Sequence, residues 1–249
     1  MKKALQKWIV PALFWVAVWQ AAAFAVHQEL LLPGPIQVLK RMSMVTDGKF
    51  FSTVGMTLLR TAEAYGIGVV CGCAIAVACH VNDWIDALLR PMLSFVRATP
   101  VASFIILALV WLGSSDVPVL AGALMVTPVV FSGVNERLKR VDPKLLEMAA
   151  SFRFSRKKIW WNVIIPSVLP GLTAACETCI GLCFKATIAA EVIGVPKKAI
   201  GSNLYSAKIY LETDSLMAWT LLVVLLSIAL EKALKALMKR GMKRGYFHM

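Results

Sequence analysis

Val117-Pro118-Val119-Leu120-Ala121-Gly122-Ala123-Leu124-Met125-Val126-Thr127-Pro128-Val129-Val130-Phe131-Ser132-Gly133-Val134 is an uncharged, predominantly apolar run, and it decides the solvent in which this chain folds. A helix needs about 20 such residues to cross about 30 Å of hydrocarbon. Segments near 8–26, 54–79, 93–112, 166–193 and 216–237 read the same way. The expected fold is an all-α membrane protein of six transmembrane helices, forming a single domain over residues 1–249. Composition agrees, with 59% hydrophobic and 16% charged residues among 249 and a mean hydropathy of +0.71. Soluble domains hold about 45–50% and about 25%, so this chain has too little polar surface to cover a core in water. Met1-Lys2-Lys3 before an apolar stretch resembles a signal peptide. Trp8–Val26 is longer than an ordinary signal core and leads into His27-Gln28-Glu29 instead of a small-residue cleavage site. A retained first span is expected.

The formal net charge is +13, from 27 Lys and Arg against 14 Asp and Glu. The basic residues lie between apolar runs, not on an aromatic-interleaved face, so lipid headgroups and topology explain them better than nucleic acid does. With the N-terminus in the cytoplasm, nineteen of the 27 fall on the inner side and seven on the outer side, leaving Lys185 within a span. That bias predicts two cytoplasmic termini and a cytoplasmic loop over 135–163.

This loop reads Val141-Asp142-Pro143-Lys144-Leu145-Leu146-Glu147-Met148-Ala149-Ala150-Ser151-Phe152-Arg153-Phe154-Ser155 and continues through Ile159-Trp160 to Ile165-Pro166. Asp142 as N-cap and Pro143 in the first position predict a helix start. The helix should run to about Ala150, followed by a turn and a second, basic and aromatic helix ending at Pro166. Leu145, Leu146, Ala149 and Phe152 share helical spacing. A short helix projecting into water with an apolar stripe needs something to pack against, and the expected partner is another protein.

Asp-Pro, Glu-x-Ala-Ala and a basic-aromatic helix closed by Pro, in that order, resemble the EAA loop of ABC-type importer permeases. Leu89-Arg90-Pro91 to Trp111-Leu112-Gly113, with Arg97-Ala98-Thr99-Pro100 inside it, is similar to that family's third-span region. Ala190-Glu191-Val192-Ile193-Gly194 and Leu211-Glu212-Thr213-Asp214 are similar to its fifth-span end and outer loop. The branch most resembled imports sulfonates, taurine, nitrate and related small oxyanions or heterocycles. The resemblance implies an inner-membrane pair of permeases, a homodimer, docked on two cytoplasmic ABC ATPases and fed by an extracytoplasmic solute-binding protein. Glu147, Ala149, Ala150, Phe152, Arg153 and Pro166 would then form the ATPase-coupling segment. Two positions depart from the pattern. Met148 replaces the first Ala, and Arg153 stands where the family has Gly. If that position needs positive φ, a β-carbon is unwelcome, and an altered turn or a specialised ATPase is expected.

The chain has no Gly-x-x-x-x-Gly-Lys-Ser/Thr loop, so ATP and Mg are expected on the partner chain. Ionisable groups within spans are candidates for function, which singles out Glu177, Lys185 and Glu191 as lining a translocation pathway. Glu177 and Lys185 stand about 12 Å apart along a helix, too far to pair. Lys185 could attract an anionic solute, or could instead be matched by a neighbouring span. Arg60 and Glu63, spaced i,i+3, are expected to pair with each other or with headgroups. Cys176, Cys179 and Cys183 share a helix face, but with no fourth ligand nearby they read as packing, not as a cofactor site. His27, His80 and His248 are isolated, and Trp8, Trp15, Trp84, Trp111, Trp160, Trp161 and Trp219 mostly suit membrane interfaces. The rivals are a stand-alone secondary carrier, which would show inverted repeats, and a membrane redox protein built on Cys176.

Overall fold

The expected apolar segments are helical, apart from a break within 93–112, in the computed structural model, which describes residues 2–28, 30–45 and 48–245. Met1, Glu29 and His248 lie outside the described residues. The helices are α1 (Lys2–Val26), α2 (Pro35–Val45), α3 (Phe50–Val81), α4 (Asp83–Ala98), α5 (Val101–Ala108), α6 (Val117–Lys139), α7 (Pro143–Ser151), α8 (Arg156–Ile159), α9 (Ile165–Gly194), α10 (Ile200–Ile209) and α11 (Thr213–Gly245). Among the described residues there is no strand. Four helical segments there are long and apolar enough to cross a membrane, or five if the bent pair α4–α5 counts as one. The last expected span, 216–237, lies inside α11.

The core is the packing of α3 against α6 and of α6 against α9. Small residues make the approach close, as they do between helices in lipid, where apolar burial gives no driving force. A Cβ on Gly68 of α3 would stand 2.5 Å from Val126 Cβ, and one on Gly133 of α6 would stand 2.8 Å from Ala175 Cβ. Neither position accepts a side chain without moving a helix. Val126, Val130, Phe131 and Val134 of α6 are buried between the two neighbours.

Two expected boundaries are corrected by the structure. The third span is not a continuous helix over 93–112; α4 begins at Asp83, and α4 and α5 meet at 101°. Pro100 causes the break, because it lacks an N–H and disfavours helical backbone at the residue before it; Thr99 is extended, with ψ 131°. Nor does the second loop helix end at Pro166. It runs from α8 through a π-turn, Trp160–Ile164, directly into α9. The Ile165 N–H reaches back five residues to the Trp160 carbonyl, and in this wide turn a proline is tolerated one position later.

Candidate functional site

The first polar cluster lies where α3 meets the C-terminal end of α9. Arg60 Nη1 is 3.0 Å from Glu191 Oε1, and the two side chains are only 6% and 0% exposed. Thr57 Oγ1 donates to Glu191, 3.0 Å from each carboxylate oxygen, and the Gly201 N–H donates to Oε2 at 3.1 Å. The remaining Arg60 donors reach the carbonyls of Lys197 and Lys198, at 3.2 and 3.4 Å. The Ile200 N–H donates to Thr57 Oγ1 at 3.0 Å. One buried ion pair therefore fastens α3, α9 and the 195–201 loop, and supplies partners for backbone groups of a segment with left-handed residues at Val195 (φ 46°) and Lys198 (φ 52°). This corrects the expected pairing of Arg60 with Glu63: Arg60 points into the protein, and Glu63 is exposed on another face of α3. Both partners were conspicuous as charges in apolar runs. Their meeting across 131 residues of chain carried no local signal.

Glu177 is half-buried and Lys185 is exposed, on the face of α9 that also exposes Ala174, Thr178 and Ala189. The opposite face meets α3 and α6. There Cys179 Sγ lies 3.9 Å from the Val126 carbonyl, Cys183 Sγ lies 3.6 Å from that of Thr61, and Cys176 is buried. The three thiols thus serve the helix contact. The structure does not bring Glu191 to either Glu177 or Lys185. Trp219 also departs from the interface pattern, being buried and stacked on Phe50 with centroids 6.0 Å apart; Trp15, Trp84, Trp111 and Trp161 are exposed.

The second cluster is α7 and its exit. Asp142 Oδ1 accepts from the Lys144 N–H at 2.9 Å, giving the N-cap expected from sequence. Leu145, Leu146, Glu147, Met148, Ala150 and Phe152 are exposed, and Ala149 is fully buried. Arg153 adopts φ 52°. Its N–H donates to the Ala150 carbonyl and that of Phe154 to Ala149, both at 2.9 Å. These two bonds make a Schellman turn with Arg153 at the left-handed position. The altered turn expected for an arginine there is absent; the arginine takes the glycine-type conformation. Pro166 sits in the first turn of α9 and is half-buried.

The family described as "binding-protein-dependent transport system inner membrane component" matches residues 65–244. The chain is similar to the taurine transport system permease protein TauC of Escherichia coli (strain K12), 25% identical, covering 84% of this chain and 78% of that one. It is 22% identical to the formylaminopyrimidine transport permease protein ThiX of Halalkalibacterium halodurans, covering 86% of each. To the bicarbonate transport system permease protein CmpB of Synechococcus elongatus it is 23% identical, covering 76% of this chain and 72% of that one. Among solved structures, an amino acid ABC transporter with histidines superimposes with a TM-score of 0.61 at 20% identity, covering 76% of this chain and 94% of that chain. The inward-facing MetNI methionine ABC transporter does so with 0.60 at 16%, covering 76% and 93%.

Proposed function

The chain belongs to the binding-protein-dependent transport system inner membrane component family, and from that premise we propose that it carries a small anion inward by alternating access. It is a transport subunit of an ABC importer in the inner membrane, and ATP hydrolysis belongs to a separate chain. Six spans with both termini in the cytoplasm put α7 on the ATPase side, following the distribution of Lys and Arg. Two copies, two ATPases holding ATP and Mg, and a solute-binding protein outside complete the machine.

The observation that carries the coupling role is α7 itself. A capped helix of nine residues leaves Leu145, Leu146, Met148 and Phe152 exposed, beside Glu147. Exposed apolar side chains grouped on one short element suit a protein partner. In this reading Glu147–Phe152 sits in the ATPase, Ala149 anchors the helix to the permease, and the left-handed turn at Arg153 directs the chain back to α8. The continuous path from α8 through the π-turn and Pro166 into α9 passes the ATPase motion to the pathway helix. ATP binding on the partner favours one facing of the membrane pair and hydrolysis resets it.

Support for an anion comes from Lys185, exposed on the face of α9 left free by α3 and α6, together with the relatives named for taurine and bicarbonate. Glu177 shares the pathway, and Glu191 holds its outer end. ThiX favours the second reading, a heterocyclic nutrient such as a pyrimidine vitamin precursor.

The test is purification of the tagged chain in mild detergent as wild type and as Glu147→Arg, with mass identification of co-purifying chains. A stoichiometric P-loop chain that the substitution removes is expected. Retention of that chain by the variant would remove α7 from the coupling site. In an uptake assay, intact transport by Lys185→Ala would count against the anion role of Lys185.

A further inference from the structure

α4 carries an apolar stripe on its outer side as well as one against the core. Trp84, Leu88, Met92 and Phe95 follow one another at helical spacing and are all exposed. Ile85, Leu89 and Leu93 pack into the core, and Arg90, Ser94 and Arg97 lie beside them along the edge of the contact with α6. Between the two helices lies a cleft of about 430 Å³ whose lining includes Arg90, Arg97, Ser132, Asn135, Glu136 and Lys139. A polar cleft behind an apolar outer stripe is unexpected for packing alone, since polar groups facing a neighbouring helix in lipid are normally matched one to one.

One charge in this cleft has no counter-charge among the described residues. Asp86 is shared by Arg90, at 2.8 Å, and Lys139, at 3.6 Å. Glu136 is held by Arg140 at 2.8 Å. Arg97 bonds only to neutral acceptors, the Pro128 carbonyl and Ser132 Oγ, and among the described residues no carboxylate pairs with it. Beside it, Asn135 is 7% exposed and its Oδ1 has no hydrogen-bond partner. A buried amide left half-used is destabilising unless something completes it. Its two ends are interchangeable by rotation, so Asn135 can give or take a hydrogen bond at the cleft.

We propose that the α4–α6 cleft is an oxyanion site, with the Arg97 guanidinium as the charge that holds a sulfonate-, sulfate- or phosphate-type group and Asn135 as a neutral partner. A planar guanidinium suits two-point binding of such groups. The site is distinct from Lys185 and stands whether or not the transported solute is an anion. A free oxyanion and the phosphate of an anionic lipid share this chemistry, and two arms of one experiment separate them.

The complex is assembled in nanodiscs of phosphatidylcholine and dialysed against radiolabelled sulfate at constant ionic strength. In parallel, it is purified from mixed phosphatidylcholine and phosphatidylglycerol, and retained lipid per chain is measured. Each arm compares wild type with Arg97→Gln, Arg97→Lys and Ser132→Asp. The last variant places a carboxylate against Arg97 and neutralises it without removing it, so it tests the site even if Arg97→Gln fails to fold. Sulfate binding or phosphatidylglycerol enrichment in the wild type is expected to fall at least about tenfold in Ser132→Asp and Arg97→Gln and to survive in part in Arg97→Lys. Loss in the sulfate arm assigns a soluble ligand, and loss in the lipid arm a headgroup. Wild type that binds neither probe better than Ser132→Asp overturns the site.

Discussion

The latch at Arg60–Glu191 and the turn at Arg153 use the same unfavourable backbone conformation to opposite ends. At the latch, left-handed Val195 and Lys198 border a loop whose backbone groups are taken up by Arg60, Glu191 and Thr57, with the Arg60 and Glu191 side chains buried beneath it. At α7, left-handed Arg153 closes the helix with two hydrogen bonds, yet Phe152 beside it is 71% exposed. One region is completed within the chain, while the other has its own hydrogen bonds but no cover for its apolar side chains. The difference separates a region closed by its own polar contacts from one that leaves apolar side chains open, which is the region the proposed coupling role uses.

The strongest way to break this contrast is Arg60→Met. Removing one member of a buried ion pair leaves the other charge uncompensated, and a loss of about 3–5 kcal/mol is expected. It is measured as a large fall in Tm of the detergent-solubilised chain. Glu191→Met in the same chain should recover much of it, because no lone charge then remains. A single variant that melts with the wild type would mean that the pair contributes nothing to the fold.

Arg153→Gly sharpens the other side. Glycine adopts φ 52° without the β-carbon contact, which favours the turn by about 1 kcal/mol, partly offset by the greater freedom of glycine in the unfolded chain. Slower amide exchange at Phe154 is the expected readout. Unchanged or faster exchange would show that the arginine side chain gives back in local contacts what its backbone loses.

The smallest effect concerns the contact between α2 and α11, where Arg41 meets Glu212 at 2.8 Å and Ser215 at 2.7 Å. The Ser215 hydroxyl, then Arg41, hold the Glu212 carboxyl below its ordinary range. A lowered folded-state pKa contributes stability that is present above the unfolded value and is lost as pH falls through the folded one. The group is 47% exposed, so solvent screening limits this to a few tenths of a kcal/mol. The wild type should therefore melt slightly above Glu212→Gln at neutral pH, and the gap should close below about pH 4. A gap that persists in acid would assign the difference to packing.

The helical segments were legible because their cause is local. Apolar runs of sufficient length, Asp142-Pro143 at the start of α7 and the basic residues after α6 each act within a few positions of themselves. The residue order picks out the proposed coupling segment, and Arg153 within it as the position where a side chain and the backbone disagree. The sequence could not show how that disagreement resolves, because only the bonds from Arg153 and Phe154 to Ala150 and Ala149 reveal which one yields. Pro166 failed as a stop signal for the same kind of reason: a π-turn one residue earlier absorbs it.

By itself, then, the sequence determined the solvent, the helical class, the family pattern and the identity of the charges that do not belong in lipid. Tertiary structure alone decided which of those charges are partnered. Glu191 finds Arg60, the Arg60–Glu63 spacing proves irrelevant, and Arg97 bonds to a carbonyl and a hydroxyl, with no carboxylate paired to it among the described residues. The reason is that an ion pair forms by distance in space. Helices of 23 to 32 residues, with α3 and α6 packed parallel through glycines and α9 antiparallel to both, bring together side chains more than a hundred positions apart while turning near neighbours to opposite faces.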